Sequence, residues 1–169
     1  MADGKLIDET GSNYDPQNPY VNRDPRLAQI VIHQGSMWGD KEQEEHRAVD
    51  VRYTNGSGGE GIDYKALHGG TNTCYYVKKF VNNISWKVPV DHDHAWIIFR
   101  YGEVLLNAAE AINEAEVPDA AYKYINELRE RAGMPPYTGM SKEELRERIR
   151  NERRIELSFE DHRFFDERR

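Results

Sequence analysis

The sequence predicts a mostly α-helical fold in which antiparallel helix pairs follow a loop-rich amino-terminal half with short strands. Turn signals built from Asn, Asp, Pro and Gly crowd residues 1–93. Apolar residues at helical spacing dominate residues 94–169, where start and stop signals mark three helices joined by short connections. We therefore divide the chain into an irregular segment, 1–93, and a helical part, 94–169.

Strand signals in the first half are short. The apolar run Leu27–Ile32 is typical of a strand or of a buried helical turn. A weak strand is predicted over Ala48–Thr54, and Tyr75–Val81 is rich in strand-forming residues. The glycine-rich loop between them, 55–61, lacks the Lys-Ser/Thr pair of a phosphate-binding loop.

The first helix is predicted over His94–Ala115, with Asp93 as its N-cap. Its apolar residues fill an arc of about 160° on a helical wheel, which indicates packing against neighbours on two sides. These residues are Ile97, Ile98, Tyr101, Val104, Leu105, Ala108, Ala109, Ala111 and Ile112. The opposite stripe consists of Glu103, Asn107, Glu110 and Glu114.

Two further helices follow. Pro118 suits the first position of the second helix, and Gly133 ends it. Ser141 and Glu144 form a capping box that starts the third helix, which we expect to end near Phe159. The very short connection before Pro118 predicts that the first two helices are antiparallel neighbours.

Two acidic residues interrupt the apolar side of the third helix. Glu152 and Glu156 fall in the same arc as Leu145 and Ile149. Burying carboxylates without partners would cost several kcal/mol, so we expect a structural ion network around them. The arginines predicted to neutralise them are Arg100, Arg129, Arg153 and Arg163.

Composition excludes several classes of function. The net charge is −7, and no lysine-rich cluster offers an electrostatic footprint for nucleic acid. The single cysteine, Cys74, excludes an internal disulfide and a cysteine-rich metal site.

A helix pair with a wide apolar arc and small residues at its crossing has the form of a tetratricopeptide-like unit. Several sequence words, in order, resemble those of the SusD/RagB family. They cover nearly the whole chain: Tyr14–Pro16, Asn22–Leu27, Tyr76–Phe80, Trp96–Ala111, Ile125–Met134 and Glu152–Arg169. Three positions depart from the family pattern: Gly102 replaces the usual Ala, Asp161 the usual Gly, and Glu167 the usual apolar residue.

The resemblance implies a SusD-like fold and a surface-exposed lipoprotein of the outer membrane. Such a protein captures oligosaccharide or another nutrient, without catalysis or cofactor, for a TonB-dependent SusC-like transporter. Family members are several times longer, so we expect the chain to be a carboxyl-proximal fragment with both ends missing. The lipid anchor that attaches the family to the membrane would then lie outside it, and apolar surface would be exposed where missing helices belong.

Ligand residues vary within the family, so the resemblance transfers no site. Sugar binders stack aromatic rings on the apolar faces of sugars, which makes four aromatic residues of the loop-rich half candidates. They are Trp38, Tyr75, Tyr76 and Trp86, with Trp38 favoured because a turn could project it. Ordinary packing is the more frequent role of such residues, because aromatic side chains bury well.

Two other kinds of function stay open. The chain could be a helical-repeat interaction scaffold without a glycan role, or a carbohydrate-active enzyme that uses Glu152 and Glu156. The enzyme requires carboxyl groups that face each other across a sugar, whereas these two share one stripe of one helix. Asp91–His94 could hold a metal, but Asp93 is explained as a helix cap and a complete site needs more ligands.

Overall fold

The computed structural model describes residues 1–39, 46–53, 61–64, 71, 73–81, 97–115 and 118–168. They belong to two compact units. One combines Met1–Leu27 with Trp96–Arg169, and the other is Ala28–Ala95. Residues 1–27, which the sequence grouped with the loop-rich half, therefore pack with the helices.

The Ala28–Ala95 unit contains short strands. The chain passes from one helical turn, α1 (Leu27–Ile30), directly into β1 (Val31–Ile32), so both interpretations of that apolar run hold in part. Three further strands follow: β2 (Met37–Trp38), β3 (Arg47–Ala48) and β4 (Tyr76–Val77). The strand predicted over Ala48–Thr54 is wrong, since it shares only Ala48 with β3 and residues 49–53 are not strand. The strand predicted over Tyr75–Val81 contains β4, which is only two residues long.

Two antiparallel strand pairs organise this unit. In the β1–β4 pair Ile32 lies opposite Tyr76, and in the β2–β3 pair Trp38 lies opposite Arg47. Ile32, Val49 and Val51 form a small buried cluster. Strands this short bury little area. Hydrogen bonds between backbone and side chains also link parts of the unit, for example the Val51 N–H, which donates to Gln34 Oε1 at 2.8 Å.

The other unit is helical, which confirms the predicted fold class. It consists of α2 (Tyr101–Ala115), α3 (Pro118–Arg131), α4 (Lys142–Glu156) and the short α5 (Arg163–Asp166). Among the described residues no helix is long and apolar enough to cross a lipid bilayer.

Contacts between helix ends define the directions of the helices. The start of α2 meets the second half of α3, where the Tyr101 hydroxyl donates to Glu127. The end of α2 meets the start of α4, where the Asn113 side chain donates to the Lys142 carbonyl. Helix α2 therefore runs antiparallel to both α3 and α4. Both of these helices pack directly against α2.

The core of the helical unit lies where these three helices meet. Leu106, Ala109, Ile125, Leu145 and Ile149 are almost completely buried there. Burial of apolar area is the dominant favourable term, at about 25 cal/mol per Å². Asn113 is fully buried in this core, and its side-chain NH2 group donates to the Lys142 carbonyl of α4 at 3.0 Å.

The prediction for α2 is wrong in two respects. Residues 97–100 are not helical, and its buried face is centred on Leu105, Leu106, Ala109 and Asn113. Of the predicted apolar arc, Ile97, Ile98, Tyr101 and Val104 are exposed. The arc was wide enough to contain two faces, and only contacts between helices decide which of them is covered.

The predicted start of α4 and the predicted end of α3 are both confirmed. Ser141 accepts a hydrogen bond from the Glu144 N–H, and the Glu144 side chain accepts one from the Ser141 N–H. Gly133 adopts φ +70°, and the bonds Met134 N–H to Arg129 O and Gly133 N–H to Glu130 O complete a Schellman motif. Helix α4 ends at Glu156 rather than near Phe159.

The chain beyond α4 turns through two residues in the left-handed region. Phe159 has φ +64° and Asp161 has φ +62°, a conformation that favours glycine. Asp161, which stands where the family usually has Gly, therefore occupies a position at which glycine would be less strained.

We predict that Asp161→Gly raises the free energy of unfolding by about 0.5 kcal/mol, because relief of left-handed strain outweighs the added freedom of the unfolded chain. Asp161→Ala should be less stable than Asp161→Gly, since Ala keeps the strain. Urea unfolding of the three proteins measures this order, and equal stability of the Gly and Ala variants would contradict it.

Candidate functional site

The most highly organised group of side chains in the described residues is a buried ion cluster in the helical unit. We define it as Asp24, Arg26, Arg100, Arg129, Arg131, Glu152, Glu156 and Glu160. It is electrically balanced, with four guanidinium groups and four carboxylates. This balance is what permits Glu152 and Glu156 to lie almost completely buried on α4.

Glu152 lies against two arginines. Arg129 Nη1 donates to its Oε2 at 2.6 Å, and Arg26 Nη2 lies 2.6 Å from its Oε1. The second approach is an ionic contact whose geometry falls outside that of a hydrogen bond. The guanidinium of Arg129 also stacks on the Tyr137 ring, 3.6 Å from its centre.

Glu156 is contacted from three sides. Its Oε1 accepts from Arg100 Nη1 at 2.7 Å and from Arg131 Nη2 at 2.6 Å. Its Oε2 accepts from Arg26 Nη1 at 2.9 Å. One carboxylate on α4 therefore joins the amino-terminal segment, the residues before α2 and the end of α3.

Arg26 is oriented by its own segment. Asp24 accepts from the Arg26 backbone N–H and Nε at 3.0 Å, and from Nη2 at 2.7 Å. Pro25 lies at the second position of a turn closed by Leu27 N–H to Asp24 O, where proline's fixed φ is favoured. The Asp24-Pro25-Arg26 motif thus fixes the direction of the Arg26 guanidinium, which contacts Glu152 and Glu156 on α4.

The arginines differ in part from those the sequence suggested. Arg100 and Arg129 contact Glu156 and Glu152. Arg153 is turned away, toward Asp166 at 2.8 Å and Asn107 at 2.6 Å, and joins α5 and α2 to α4. Arg163 is half-exposed and pairs with Glu167, so its assignment to the network is corrected.

Two partners escaped sequence reasoning. Arg26 is separated from α4 by most of the chain, and Arg131 lies at the end of α3 with an exposed side chain. The one indication in the sequence for Arg26 is that it lies in the family motif Asn22–Leu27. A motif does not show, however, which distant carboxylate the arginine contacts.

Gly102 leaves room for the cluster. A Cβ atom at this position would lie 2.6 Å from Arg100 Nη1 and 3.2 Å from Glu156 Oε1. Both distances are too short, so a side chain here would require the guanidinium to shift. The helix-weakening glycine at the start of α2 is therefore explained by the close approach of Arg100 to Glu156.

Mutual neutralisation fixes the ionised state of the cluster. Burial acts to raise the pKa of Glu156, but hydrogen bonds donated by Arg100 and Arg26 and the charge of Arg131 outweigh it and hold the pKa below its ordinary value. The carboxylates likewise raise the pKa of Arg26 and Arg100 against the effect of burial. Burial and the Glu152 charge raise the pKa of Tyr137 to about 12.

This arrangement is poorly suited to glycoside hydrolysis. A general acid must hold a proton near neutral pH, which requires a raised carboxyl pKa, and both groups must face a sugar. Glu156 has a lowered pKa, and Glu152 and Glu156 point their oxygens into arginines. Their geometry is that of a structural network.

The aromatic candidates lie in the other unit. Trp38 and Tyr76 both pack against the Ile32–Val49–Val51 cluster and are half-buried. The Tyr76 hydroxyl donates to the Asp63 carbonyl at 2.6 Å, and Lys78 Nζ lies 6.0 Å from the centre of the Trp38 ring. The structure thus brings these two rings to one cluster and gives each of them a packing role.

Tyr75 differs from its neighbours because its side chain is 47% exposed. It directly precedes β4, with Tyr76 as the first strand residue. Trp86 lies outside the described residues, as do Asp91–His94. Among the residues that the structure describes, no group of three or more metal-binding side chains occurs.

Comparison with known proteins identifies the family. The sequence profile of the SusD family matches residues 1–169. The chain belongs to the SusD family. A SusD-like protein of Bacteroides fragilis has a crystal structure that matches with a TM-score of 0.72 and 33% identity, over 89% of this chain and 28% of that one.

Two SusD-like proteins of Formosa agariphila also resemble it. SusD-like protein P2 is 46% identical over 83 residues, which are 44% of this chain and 16% of the relative. SusD-like protein P25 is 38% identical over 91 residues, which are 48% of this chain and 17% of the relative. Each match therefore spans about one sixth of the curated relative.

The ion cluster yields a stability prediction for this SusD-family chain. Arg129→Met leaves Glu152 short of one buried partner and should lower the free energy of unfolding by about 3 kcal/mol. Arg163→Met is the matched control, since its pair with Glu167 is exposed, and should change it by less than about 0.5 kcal/mol. Urea unfolding checks both, and a similar small effect of the two variants would contradict the prediction.

A pH dependence follows from Glu156. Because its folded pKa lies below the ordinary value of 4.5, its contribution is full above that pH and is lost as the pH falls through the folded pKa. Stability of the wild-type protein should therefore fall as the pH is lowered through 4.5 and on through the folded pKa of Glu156.

Glu156→Gln should be less stable at neutral pH and should lose less on acidification, because the amide does not titrate. Parallel urea unfolding series of the two proteins test this. Identical slopes of stability against pH would exclude Glu156 as a source of the acid sensitivity.

Proposed function

We propose that this chain is part of an outer-membrane, surface-exposed lipoprotein that captures oligosaccharide and delivers it to a TonB-dependent SusC-like transporter. The observation that carries the proposal is the match of the SusD family profile to every residue of the chain. The shared fold with a SusD-like protein supports it. Membrane attachment would be through a lipid anchor.

The two units suggest a division of labour. The helical unit has a core of its own and a balanced ion cluster, which suits a rigid scaffold. The Ala28–Ala95 unit carries aromatic residues on short strands and loops, where binding residues are disproportionately found. We therefore assign ligand contact to Trp38, Tyr75 and Tyr76 of the Ala28–Ala95 unit, and Tyr75 is the most exposed of these three.

Stacking is the physical basis of this assignment. A phenol ring covers the apolar face of a sugar, while its hydroxyl and nearby amides bind the sugar's hydroxyl groups. Tyr75 can do so without leaving a core. Trp38 can do so only at the edge that its packing on the Ile32–Val49–Val51 cluster leaves exposed.

A protein-interaction scaffold without a glycan role is the second candidate. Exposed apolar side chains of the helical unit favour it, among them Ile98, Phe99, Phe164 and Phe165, each at least 60% exposed. The gene neighbourhood separates the two functions, because a transporter gene directly upstream is expected only for nutrient capture.

We predict that the chain binds at least one of maltohexaose, laminarihexaose, cellohexaose and xylohexaose with a Kd below about 1 mM in calorimetry. Tyr75→Ala should weaken this binding about tenfold, which corresponds to about 1.4 kcal/mol. Trp38→Ala should weaken it as well, provided that circular dichroism shows an intact fold.

Phe165→Ala serves as the control, because it removes an exposed aromatic ring from the helical unit. Its affinity should equal that of the wild-type protein. An unchanged affinity of Tyr75→Ala would remove this residue from the site. Absence of binding to all four sugars, together with no neighbouring transporter gene, would favour the scaffold.

A further inference from the structure

The chain leaves the helical unit once and returns once. It leaves after Leu27 and comes back at Trp96, with the Ala28–Ala95 unit between these points. Arg26 stands directly before the point of departure, and Arg100 lies four residues beyond the return. Both arginines belong to the ion cluster.

The two arginines meet on one carboxylate. Arg26 Nη1 donates to Glu156 Oε2 at 2.9 Å, and Arg100 Nη1 donates to Glu156 Oε1 at 2.7 Å. Arg100 Nη2 also donates to the Glu156 backbone carbonyl at 2.8 Å. The Glu156 side chain is only 3% exposed, so water competes little for these bonds.

Each arginine is held by a second acid of its own. Asp24 binds Arg26 through both of its oxygens, and Glu160 binds Arg100 through both of its oxygens at 2.8 Å. The two guanidinium groups are therefore fixed before they share Glu156. Glu152 contacts Arg26 and Arg129, whereas Glu160 contacts Arg100.

We propose that Glu156 is a positioning residue that clamps together the two ends of the 28–95 segment. A segment whose two ends are held at one point has fewer conformations than a segment whose ends move independently. The clamp therefore fixes the positions at which the 28–95 segment leaves and rejoins the helical unit. This role requires a single group that reaches both arginines, and Glu156 does so with its two oxygens. The clamp acts whether or not the segment binds a sugar.

Amide hydrogen exchange of the full chain, resolved by NMR, tests the clamp. The reporting amides are Arg26 and Leu27 at the point of departure, and Glu103 and Val104 after the return. The first two donate to Asp24 and the last two to the Arg100 carbonyl. Glu156→Gln should speed exchange at both places at least about tenfold more than at Ile125 and Leu128 in α3, whose core amides report the global loss of stability.

Two matched variants separate the clamp from a general loss of stability. Measured against Ile125 and Leu128, Glu152→Gln should speed exchange at Arg26 and Leu27 but not at Glu103 and Val104. Glu160→Gln should speed it at Glu103 and Val104 but not at Arg26 and Leu27. If Glu156→Gln does not fold, Glu156→Asp replaces it, since the shorter side chain keeps the charge but cannot reach both arginines.

Faster exchange at both places in the Glu156 variant, and at one place in each control, supports the clamp. Three results would overturn it: an effect of the Glu156 variant at only one place, an effect spread equally over α3, or both places loosened equally by all three variants.

Discussion

The helical unit depends on the neutralisation of two carboxylates that α4 carries into its interior. Glu152 and Glu156 occupy positions where apolar residues would otherwise lie, and arginines from three other segments surround them. An unpaired buried charge costs several kcal/mol, so α4 can pack only when those segments are in place. The cluster thus makes the packing of α4 conditional on the amino-terminal segment, the residues before α2 and the end of α3.

Departures from the family pattern are physically consistent with this arrangement. Gly102 weakens the start of α2, yet it gives the Arg100 guanidinium space beside Glu156. Asp161 occupies a left-handed position beyond Glu160, and this turn follows the residue that holds Arg100. Both substitutions lie at the edge of the ion cluster. Local helix propensity is therefore subordinate here to the geometry of charged contacts.

The nutrient-capture role that we propose would use the two units differently. The helices and the ion cluster form a scaffold, and the carboxylates of the cluster pair with arginines inside it. Some aromatic residues of the Ala28–Ala95 unit also have a structural role, since Trp38 and Tyr76 pack against the buried residues Ile32, Val49 and Val51. Among the candidates Trp38, Tyr75 and Tyr76, Tyr75 is the most exposed.

The sequence by itself determined the helical class, the capping box at Ser141, the end of α3 at Gly133 and the burial of acids on α4. These features depend on residues within a few positions of each other, so local pattern is sufficient. Tertiary structure alone decided which face of α2 is covered, because an arc of about 160° holds two candidate faces. It also decided that Arg26 rather than Arg163 reaches the buried acids, since a guanidinium can pair with any carboxylate that the fold brings near.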